Sequence, residues 1–244
     1  MVKTKTQKNS LVIYDDNYTS PERWFDAFGN TVVKLSDTVG FPCDDTTLDP
    51  SEFVVTVTEA GAGDSTIINS AAAGEQLLLT TDAVEYDGIN AQTKGEAFKL
   101  DAANPLYFRA DIKINDVDQT DLLIGLASTQ TDLMNTSTSH AVNAEEFVGF
   151  VSIDAAATIA FQSFVGSAQT NSAVSEVSLA DDTWAELEMY WDGEELSGYV
   201  NQTLVGTFTA SLTTTDLTFS INFRTGETAA DNLRLKNRKL IQLR

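Results

Sequence analysis

The sequence predicts an all-β protein built as an antiparallel β-sandwich of about 12 to 14 strands. Three observations lead to this fold class. Apolar and polar residues alternate with a period of two along most of the chain, helical periodicity is nearly absent, and turn-forming residues recur at short intervals. Such alternation is typical of strands that bury one face, so we expect two sheets packed face to face.

The clearest strand covers residues 217–224. Large apolar residues at its odd positions alternate with the polar set Thr218, Ser220, Asn222 and Arg224. We therefore predict a buried odd face and a solvated even face. By the same pattern, further strands are predicted within residues 52–60, 65–70, 75–81, 96–100, 105–114, 121–129, 145–154, 158–166 and 184–208.

One exception to the β pattern lies near residue 20. Ser20 is a suitable N-cap and Pro21 suits the first helical position, so a short helical turn is predicted there. No composition shift or linker divides the rest of the chain. We therefore predict an extended N-terminal arm over residues 1–20 and a single sandwich domain over residues 21–244, which is long enough to bury a core without cross-links.

Cysteine and histidine each occur once, which excludes several kinds of chemistry. With Cys43 alone, neither an intrachain disulfide nor a cysteine metal cluster can form. His140 lies in a polar segment and is predicted to be an exposed loop residue. The aspartate-rich segments 42–49 and 115–121 offer oxygen ligands for Ca²⁺, but neither has EF-hand spacing, and solvated turns are the favoured interpretation. The sequence predicts no catalytic residue, no cofactor and no metal.

The formal net charge of −21 argues against a nucleic-acid partner, because phosphate contacts need a positive surface. No apolar run reaches the roughly 20 residues of a membrane span. No apolar run of signal length follows the basic N-terminus either. We therefore expect synthesis in the cytoplasm, no nucleic-acid binding and no membrane association.

Basic residues are concentrated at the two ends of the chain, and none lies between Lys113 and Arg224. One interpretation is that the ends are solubilising, frayed tails. The other is that they dock on an acidic partner surface, since complementary charges steer association. The residues of this docking hypothesis are Lys3, Lys5, Lys8, Arg234, Lys236, Arg238 and Lys239.

A pair of acids, Glu186 and Glu188, lies within a strand whose odd positions are uniformly apolar. We predict that both acids face solvent on the opposite side. Retaining glycosidases hold two carboxyl groups about 5 to 5.5 Å apart, and laminarinase-type enzymes carry Glu-x-Asp-x-Glu on one strand. Here the third acid is replaced by Tyr190, and a phenol is a poor general acid near neutral pH. The pair is therefore predicted to be non-catalytic.

Several segments together resemble a known family. Residues 181–208 resemble the laminin-G and concanavalin A-like pattern of a Trp-led strand, a Gly turn and a Tyr-Val strand, and residues 215–243 resemble its closing strands. With residues 24–28, 104–133 and 145–154, the chain is similar over residues 22–242 to concanavalin-like virion proteins of tailed bacteriophages. The basic C-terminal segment leaves open whether the last strand ends at Leu235.

The resemblance implies a concanavalin A-like jelly roll and a non-enzymatic capsid decoration, cement or head-fibre protein on the outer surface of the virion. It also implies the major capsid protein as partner and a homo-oligomer. Two alternatives remain on the same fold. One is a carbohydrate-binding module for host or surface attachment, with Trp184 and Tyr190 as the glycan contacts. The other is a glycoside hydrolase or polysaccharide lyase.

Overall fold

The computed structural model describes residues 53–59, 76–135, 139–173 and 175–243, and before residue 71 it also places the backbone of six further strands. The predicted helical turn at Ser20 and Pro21 lies outside the described residues, as do the side chains of the N-terminal lysines. Within the described part there is no helix long and apolar enough to cross a membrane.

The part of the chain that the structure describes contains 20 strands, which are β1 (Val2–Gln7), β2 (Ser10–Asp15), β3 (Val33–Leu35), β4 (Cys43–Asp44), β5 (Thr47–Leu48), β6 (Phe53–Thr58), β7 (Thr66–Ser70), β8 (Gln76–Thr80), β9 (Gly88–Thr93), β10 (Leu106–Ile114), β11 (Thr120–Ala127), β12 (Glu146–Ser152), β13 (Thr158–Val165), β14 (Ala168–Ser172), β15 (Val177–Ser178), β16 (Ala185–Trp191), β17 (Leu196–Val200), β18 (Thr203–Phe208), β19 (Thr218–Thr225) and β20 (Asn232–Leu243).

Most strands belong to two antiparallel sheets. Sheet 1 has the order β18-β17-β16-β10-β20-β8-β7, with β3 beside β20, and sheet 2 has the order β14-β13-β12-β11-β19-β9-β6, with β15 beside β13. The strands β1 and β2 form a separate two-stranded sheet within the predicted arm, and so do β4 and β5. The predicted all-β sandwich is confirmed, and the short strands raise the total above the expected number.

The main core lies between the two sheets, where the odd faces predicted from the sequence meet. Aromatic rings from opposite sheets stack across this layer. Phe161 of β13 and Phe208 of β18 have ring centroids 4.8 Å apart. A Cβ on Gly198 would come within 2.5 Å of the Phe161 ring, so glycine is required there for the close approach.

The outer face of sheet 2 is covered, and the prediction that the even face of β19 is solvated is therefore wrong. Thr218 and Ser220 are fully buried, and Asn222 and Arg224 nearly so. The connection between β11 and β12 lies over this face. It contributes Leu133, Met134 and Ala144 to a second apolar cluster with Leu123, Ala127, Phe147, Val151 and Phe164.

The last strand does not end at Leu235 but continues to Leu243 in the interior of sheet 1. Its register against β10 shifts between the pairs Arg109–Lys239 and Asp111–Lys236. Asn237 sits in this β-bulge with φ of 51°. The extra residue reverses the alternation, and the side chain that follows, Arg238, points into the core.

Two further differences concern the edges of predicted strands. Residues 96–100 do not form the predicted strand, since Phe98 makes only an isolated bridge to Leu217. Instead β9, with the sequence GINAQT, lies between β19 and β6. Asn90 and Gln92 of this strand donate hydrogen bonds to the connection between β11 and β12. Because these residues are polar, the sequence of the strand resembles that of a turn.

Candidate functional site

The outer face of sheet 1 carries the acid pair predicted from the sequence. The apolar odd face of β16 is indeed in the core, where Leu187 and Met189 are fully buried. Glu186 and Glu188 lie on the opposite face, as predicted. However, Glu188 is 0 % exposed, so the prediction that both acids face solvent is wrong for this residue.

Neighbouring strands supply partners for both acids. The Tyr107 hydroxyl on β10 donates to Glu188 Oε1 at 2.6 Å. The Arg109 guanidinium contacts Glu186 Oε2 at 2.7 Å and Asp111 Oδ1 at 3.2 Å. Because β10 and β16 pair in register, with Arg109 opposite Glu188 and Asp111 opposite Glu186, these groups form one ladder of contacts across the sheet.

The pKa of Glu186 is well above its ordinary value. Burial raises it to about 7, the nearby Arg109 guanidinium lowers it, and the charge and hydrogen bond of Glu188 raise it further. Glu186 Oε1 and Glu188 Oε2 are both buried without a hydrogen-bond partner among the described residues. Protonation of Glu186 therefore lowers the repulsion between neighbouring acids.

The aromatic residues of this face fall into two places. Tyr190 and Tyr199 are diagonal neighbours on β16 and β17, since Glu188 pairs with Tyr199 and Tyr190 with Ser197. Both are half-buried, and burial raises the pKa of each phenol. Leu204, opposite Tyr199 on β18, is 52 % exposed. We call Tyr190, Tyr199 and Leu204 the aromatic patch.

Trp184 lies away from this patch. It precedes β16, about 20 Å along the strand direction from Tyr190 by the rise per residue. Its ring faces Lys236, whose Nζ lies 3.8 Å from the ring centroid. The structure therefore does not bring the two predicted glycan contacts together. It places Tyr199 and Leu204 beside Tyr190 instead, and the sequence pattern of these two residues alone does not reveal this because strand pairing brings them together.

A second polar cluster lies where sheet 2 meets the covering connection. His140 is not simply solvated, because its Nδ1 lies 2.9 Å from Oδ2 of the fully buried Asp121. Arg224 donates to the same oxygen from Nε at 3.0 Å and from Nη2 at 2.6 Å. Arg224 also donates to the carbonyls of Asn135 and Ser139, which ties the connection to the sheet.

The exposed edge of the His140 ring faces two further carboxylates. Nε2 lies 3.8 Å from Glu85 Oε1 and 3.7 Å from Asp154 Oδ2. The Tyr86 ring packs beside it with centroids 5.1 Å apart, and its hydrogen bond to Glu85 raises the pKa of the Tyr86 phenol. Tyr86 has φ of 72°, a left-handed conformation that is costly for a bulky residue.

A group of aspartates occupies the turns near one end of the sandwich. One carboxylate oxygen from each of Asp116, Asp118 and Asp181 lies within 4.8 Å of the others, close enough for one hard cation to touch all three. Burial, then the hydrogen bond and charge of Asp118, raise the pKa of Asp116 to about 6. The predicted segment 115–121 thus contributes two of these acids, and the segment 42–49 lies outside the residues whose side chains are described.

The C-terminal docking residues belong to a central strand of sheet 1 rather than to a tail. Arg238 is only 1 % exposed and lies over the rings of Phe53 and Phe219, so its predicted role in docking is wrong. The Lys236 ammonium group packs against the Trp184 ring. Arg234 and Lys239 remain half-exposed. The side chains of Lys3, Lys5 and Lys8 lie outside the described residues.

No family model matches the chain, and no curated protein matches it. Solved structures do. The chain is similar to the Emp47p carbohydrate recognition domain, with a TM-score of 0.59, 8% identity, and 88% of this chain and 97% of that one covered. It is also similar to an endo-1,3-beta-glucanase from Streptomyces sioyaensis, with a TM-score of 0.59 and 9% identity, and 84% of this chain and 94% of that one are covered.

A third structure, a protein of unknown function from Shewanella oneidensis MR-1, gives a TM-score of 0.54 and 10% identity over 94% and 97% of the two chains. At such identities the likeness concerns the fold alone. The protein is therefore an antiparallel jelly-roll β-sandwich of the concanavalin-like kind, a fold that carries both binding domains and enzymes.

Proposed function

We propose that this protein is a non-enzymatic carbohydrate-binding sandwich whose ligand contacts the outer face of sheet 1. The observation that carries the proposal is the aromatic patch, which lies beside the ladder of contacts that Arg109 makes with Glu186 and Asp111. Tyr190, Tyr199 and Leu204 offer an amphipathic surface, and Glu186 and Arg109 supply polar groups next to it. Ligand sites combine such a surface with a few polar groups that fix orientation.

The fold supports the same proposal. A carbohydrate recognition domain and an endo-1,3-beta-glucanase share this architecture. At 8% and 9% identity the likeness assigns no residue of a site, and the aromatic patch itself supports the position of the ligand. The ladder of ionic contacts keeps Glu186 and Arg109 in place before a ligand arrives, which lowers the entropic cost of binding.

The state of the acid pair supports binding rather than catalysis. A retaining glycosidase keeps its carboxyl groups about 5 to 5.5 Å apart so that the sugar carbon fits between them. Here Glu188 lies close enough to Glu186 that its charge and hydrogen bond raise the pKa of Glu186. Glu188 is also fully buried, where a substrate does not reach it. Turnover of a β-glucan or uronate polymer, abolished by Glu188→Gln, would replace the binding proposal with an enzymatic one.

A glycan array followed by calorimetry on the best hit tests the proposal. Tyr199→Ala is expected to weaken binding at least about tenfold, because it removes one large contact surface. Trp184→Ala serves as a matched control on the same sheet, since its ring faces Lys236 away from the patch. An array without hits, or affinity that is unchanged in Tyr199→Ala, would overturn the proposal.

Capsid decoration is the second candidate. Two observations favour it: the resemblance over residues 22–242, and the separate two-stranded sheet β1–β2, which carries Lys3 and Lys5 at the basic N-terminal end. In this proposal the protein is a homo-oligomer on the outer surface of a virion. The arm docks on the major capsid protein, and the acidic body faces outward.

Deletion of residues 1–15 tests the docking role. The truncated protein is expected to fold, because β1 and β2 pair with each other rather than with either eight-stranded sheet, but to be lost from purified particles. Lys113→Gln on the sandwich is the control, because Lys113 is not among the docking residues, and its occupancy is expected to stay near that of the wild type. Full occupancy of the truncated protein would exclude docking through the arm.

A further inference from the structure

The two longest stretches of the chain without a charged residue lie between Asp154 and Glu176 and between Glu195 and Asp216. Each stretch contains a pair of neighbouring strands, β13 with β14 and β17 with β18. The formal net charge of the chain is −21, and acids recur on both sides of each stretch. Part of the surface of this acidic protein is therefore expected to carry no charge.

Both stretches meet at one edge of the sandwich. β18 is an outermost strand of sheet 1, and β14 is an outermost strand of sheet 2. The Thr170 hydroxyl donates to the Ser211 carbonyl at 2.9 Å, and the Asn171 side chain donates to the Ala210 carbonyl at 3.0 Å. These contacts join β14 to the segment that follows β18. We call β14, β18 and residues 209–215 the uncharged edge.

The aromatic patch continues onto this edge. Glu188, Tyr199 and Leu204 form one row across β16, β17 and β18. Exposure increases along the row, since Glu188 is fully buried, Tyr199 is half-buried and Leu204 is 52% exposed. In the next row, the exposed Thr207 also lies at the edge. The accessible surface beside the patch therefore extends toward β18.

The geometry of the edge suits hydroxyl groups better than another strand. In the part of the chain that the structure describes, no strand pairs with the outer side of β14 or β18. The pairing register of each strand with its inner neighbour shifts once, as at a β-bulge, and bulges hinder the addition of a further strand. The outward backbone groups and the Thr203 and Thr207 hydroxyls still offer hydrogen-bond donors and acceptors.

The electrostatic potential at the patch is negative. Burial raises the pKa of the Tyr199 phenol, and the charges of Glu188 and Glu195 raise it further. β16, β17 and β18 contain no lysine or arginine. Arg109 on the neighbouring β10 contacts Glu186 at 2.7 Å, so its charge is compensated. An anionic sugar would meet carboxylates without a compensating cation from these three strands, which opposes its binding.

We propose that the ligand of the aromatic patch is an uncharged glycan that extends over β18 onto the uncharged edge. This inference rests on the proposed carbohydrate-binding function and names its ligand class. The acids beside the patch oppose uronate and sulfated glycans. A glycan with free amines meets no carboxylate along the uncharged edge, because residues 196–215 contain none. The hydroxyls of an uncharged glycan bond to both carboxylates and edge groups.

A glycan array tests the ligand class. Its probes are uncharged oligosaccharides of glucose, mannose and galactose, uronate oligomers, and glucosamine oligomers with free amines. Hits are expected among the uncharged probes, with charged probes bound at least about tenfold more weakly. Calorimetry on the best uncharged hit is expected to give the same affinity at about 20 and about 500 mM salt, because binding involves no ion pair that salt screens.

The outcomes separate the ligand class from the carbohydrate-binding function. A charged probe that binds as tightly as the best uncharged one overturns the inference and leaves the function in place. An array without hits overturns both.

Thr207→Lys tests the extension over β18. A lysine there supplies a cation that the strand lacks, so the affinity for uronate oligomers at low salt is expected to rise about two- to fivefold. Competition against the best uncharged hit measures it. Thr183→Lys is the matched control, since this exposed threonine precedes β16, and its affinity is expected to stay unchanged. No gain in Thr207→Lys, or an equal gain in Thr183→Lys, would show that the ligand does not reach the edge.

Discussion

Glu188 on the outer face of sheet 1 and Asp121 on the outer face of sheet 2 are both fully buried carboxylates, yet their partners differ. Glu188 accepts a hydrogen bond from the neutral Tyr107 hydroxyl and lies beside Glu186, whose pKa is raised. Asp121 is satisfied by the Arg224 guanidinium, His140 and a backbone N–H. One cluster depends on a bound proton and the other on a fixed cation.

The difference determines how each cluster responds to change. A proton is supplied by the solvent, so the stability of the sheet 1 cluster depends on pH. A guanidinium stays charged at any ordinary pH, so the cation of the sheet 2 cluster is lost only by removing the Arg224 side chain. The charge at Glu186 therefore varies with pH near neutrality, whereas the charge at Arg224 does not.

The largest effect is expected from Arg224→Gln. Asp121 then keeps a buried charge without its main partner, which costs about 3 to 5 kcal/mol of unfolding free energy. Urea denaturation measures the loss. Lys113→Gln is the control, because it breaks the exposed pair with Asp182 at 3.3 Å, worth about 0 to 1 kcal/mol. Similar losses in the two variants would show that Asp121 does not depend on this cation.

A smaller effect, with a definite sign, concerns pH. The folded pKa of Glu186 is about 7 against 4.5 unfolded, so between these values the native state binds more protons and stability falls as pH rises. The loss through Glu186 amounts to at most roughly 3 kcal/mol, and to less where solvent screens the 16% exposed side chain.

Denaturation curves from pH 4 to pH 8 test this sign. In Glu186→Gln, the decline between about pH 4.5 and 7 is expected to become shallower. It does not vanish, because the pKa values of Asp116 and Asp231 are raised to about 6, in both mainly by burial, and act in the same direction. A variant with the full wild-type slope would show that Glu186 does not bind a proton in this pH range.

The smallest effect is expected from Tyr107→Phe. It leaves Glu188 Oε1 buried without its hydroxyl donor, at a cost of about 1 to 3 kcal/mol. Tyr199→Phe removes a hydroxyl from the half-buried patch and is expected to change stability by less than about 0.5 kcal/mol. If Tyr107→Phe lowers the free energy of unfolding as much as Arg224→Gln, neutral and charged partners do not differ in their effect on a buried carboxylate.

Much of the fold could be predicted because alternation assigns each residue of a strand to a face. The buried odd positions of β16 and β19 follow directly from it. Alternation does not reveal what lies over the other face, and for this reason it predicts solvent exposure at Glu188 and Asn222. Covering segments come from distant parts of the sequence, and their contacts leave no local periodicity.

The His140 cluster shows the same limit. Asp121 and Arg224 are 103 residues apart, and only the pairing of β11 with β19 places them opposite each other. The sequence does contain one indication of this contact. Arg224 is the first basic residue after Lys113, and it ends a strand in which apolar residues alternate with polar ones. A charged residue at such a position calls for a buried counter-charge, and Asp121 at the start of another apolar run was the natural candidate.

The bulge at Asn237 sets the parity of every position that follows it in β20. If the strand ran through this residue without the bulge, the two faces would be exchanged downstream, turning Lys239 and Ile241 inward and Leu240 outward. Deletion of Asn237 itself would instead restore regular pairing and keep Arg238 and Leu240 in the core. The backbone conformation at this one position therefore decides which side chains of the final strand face the core.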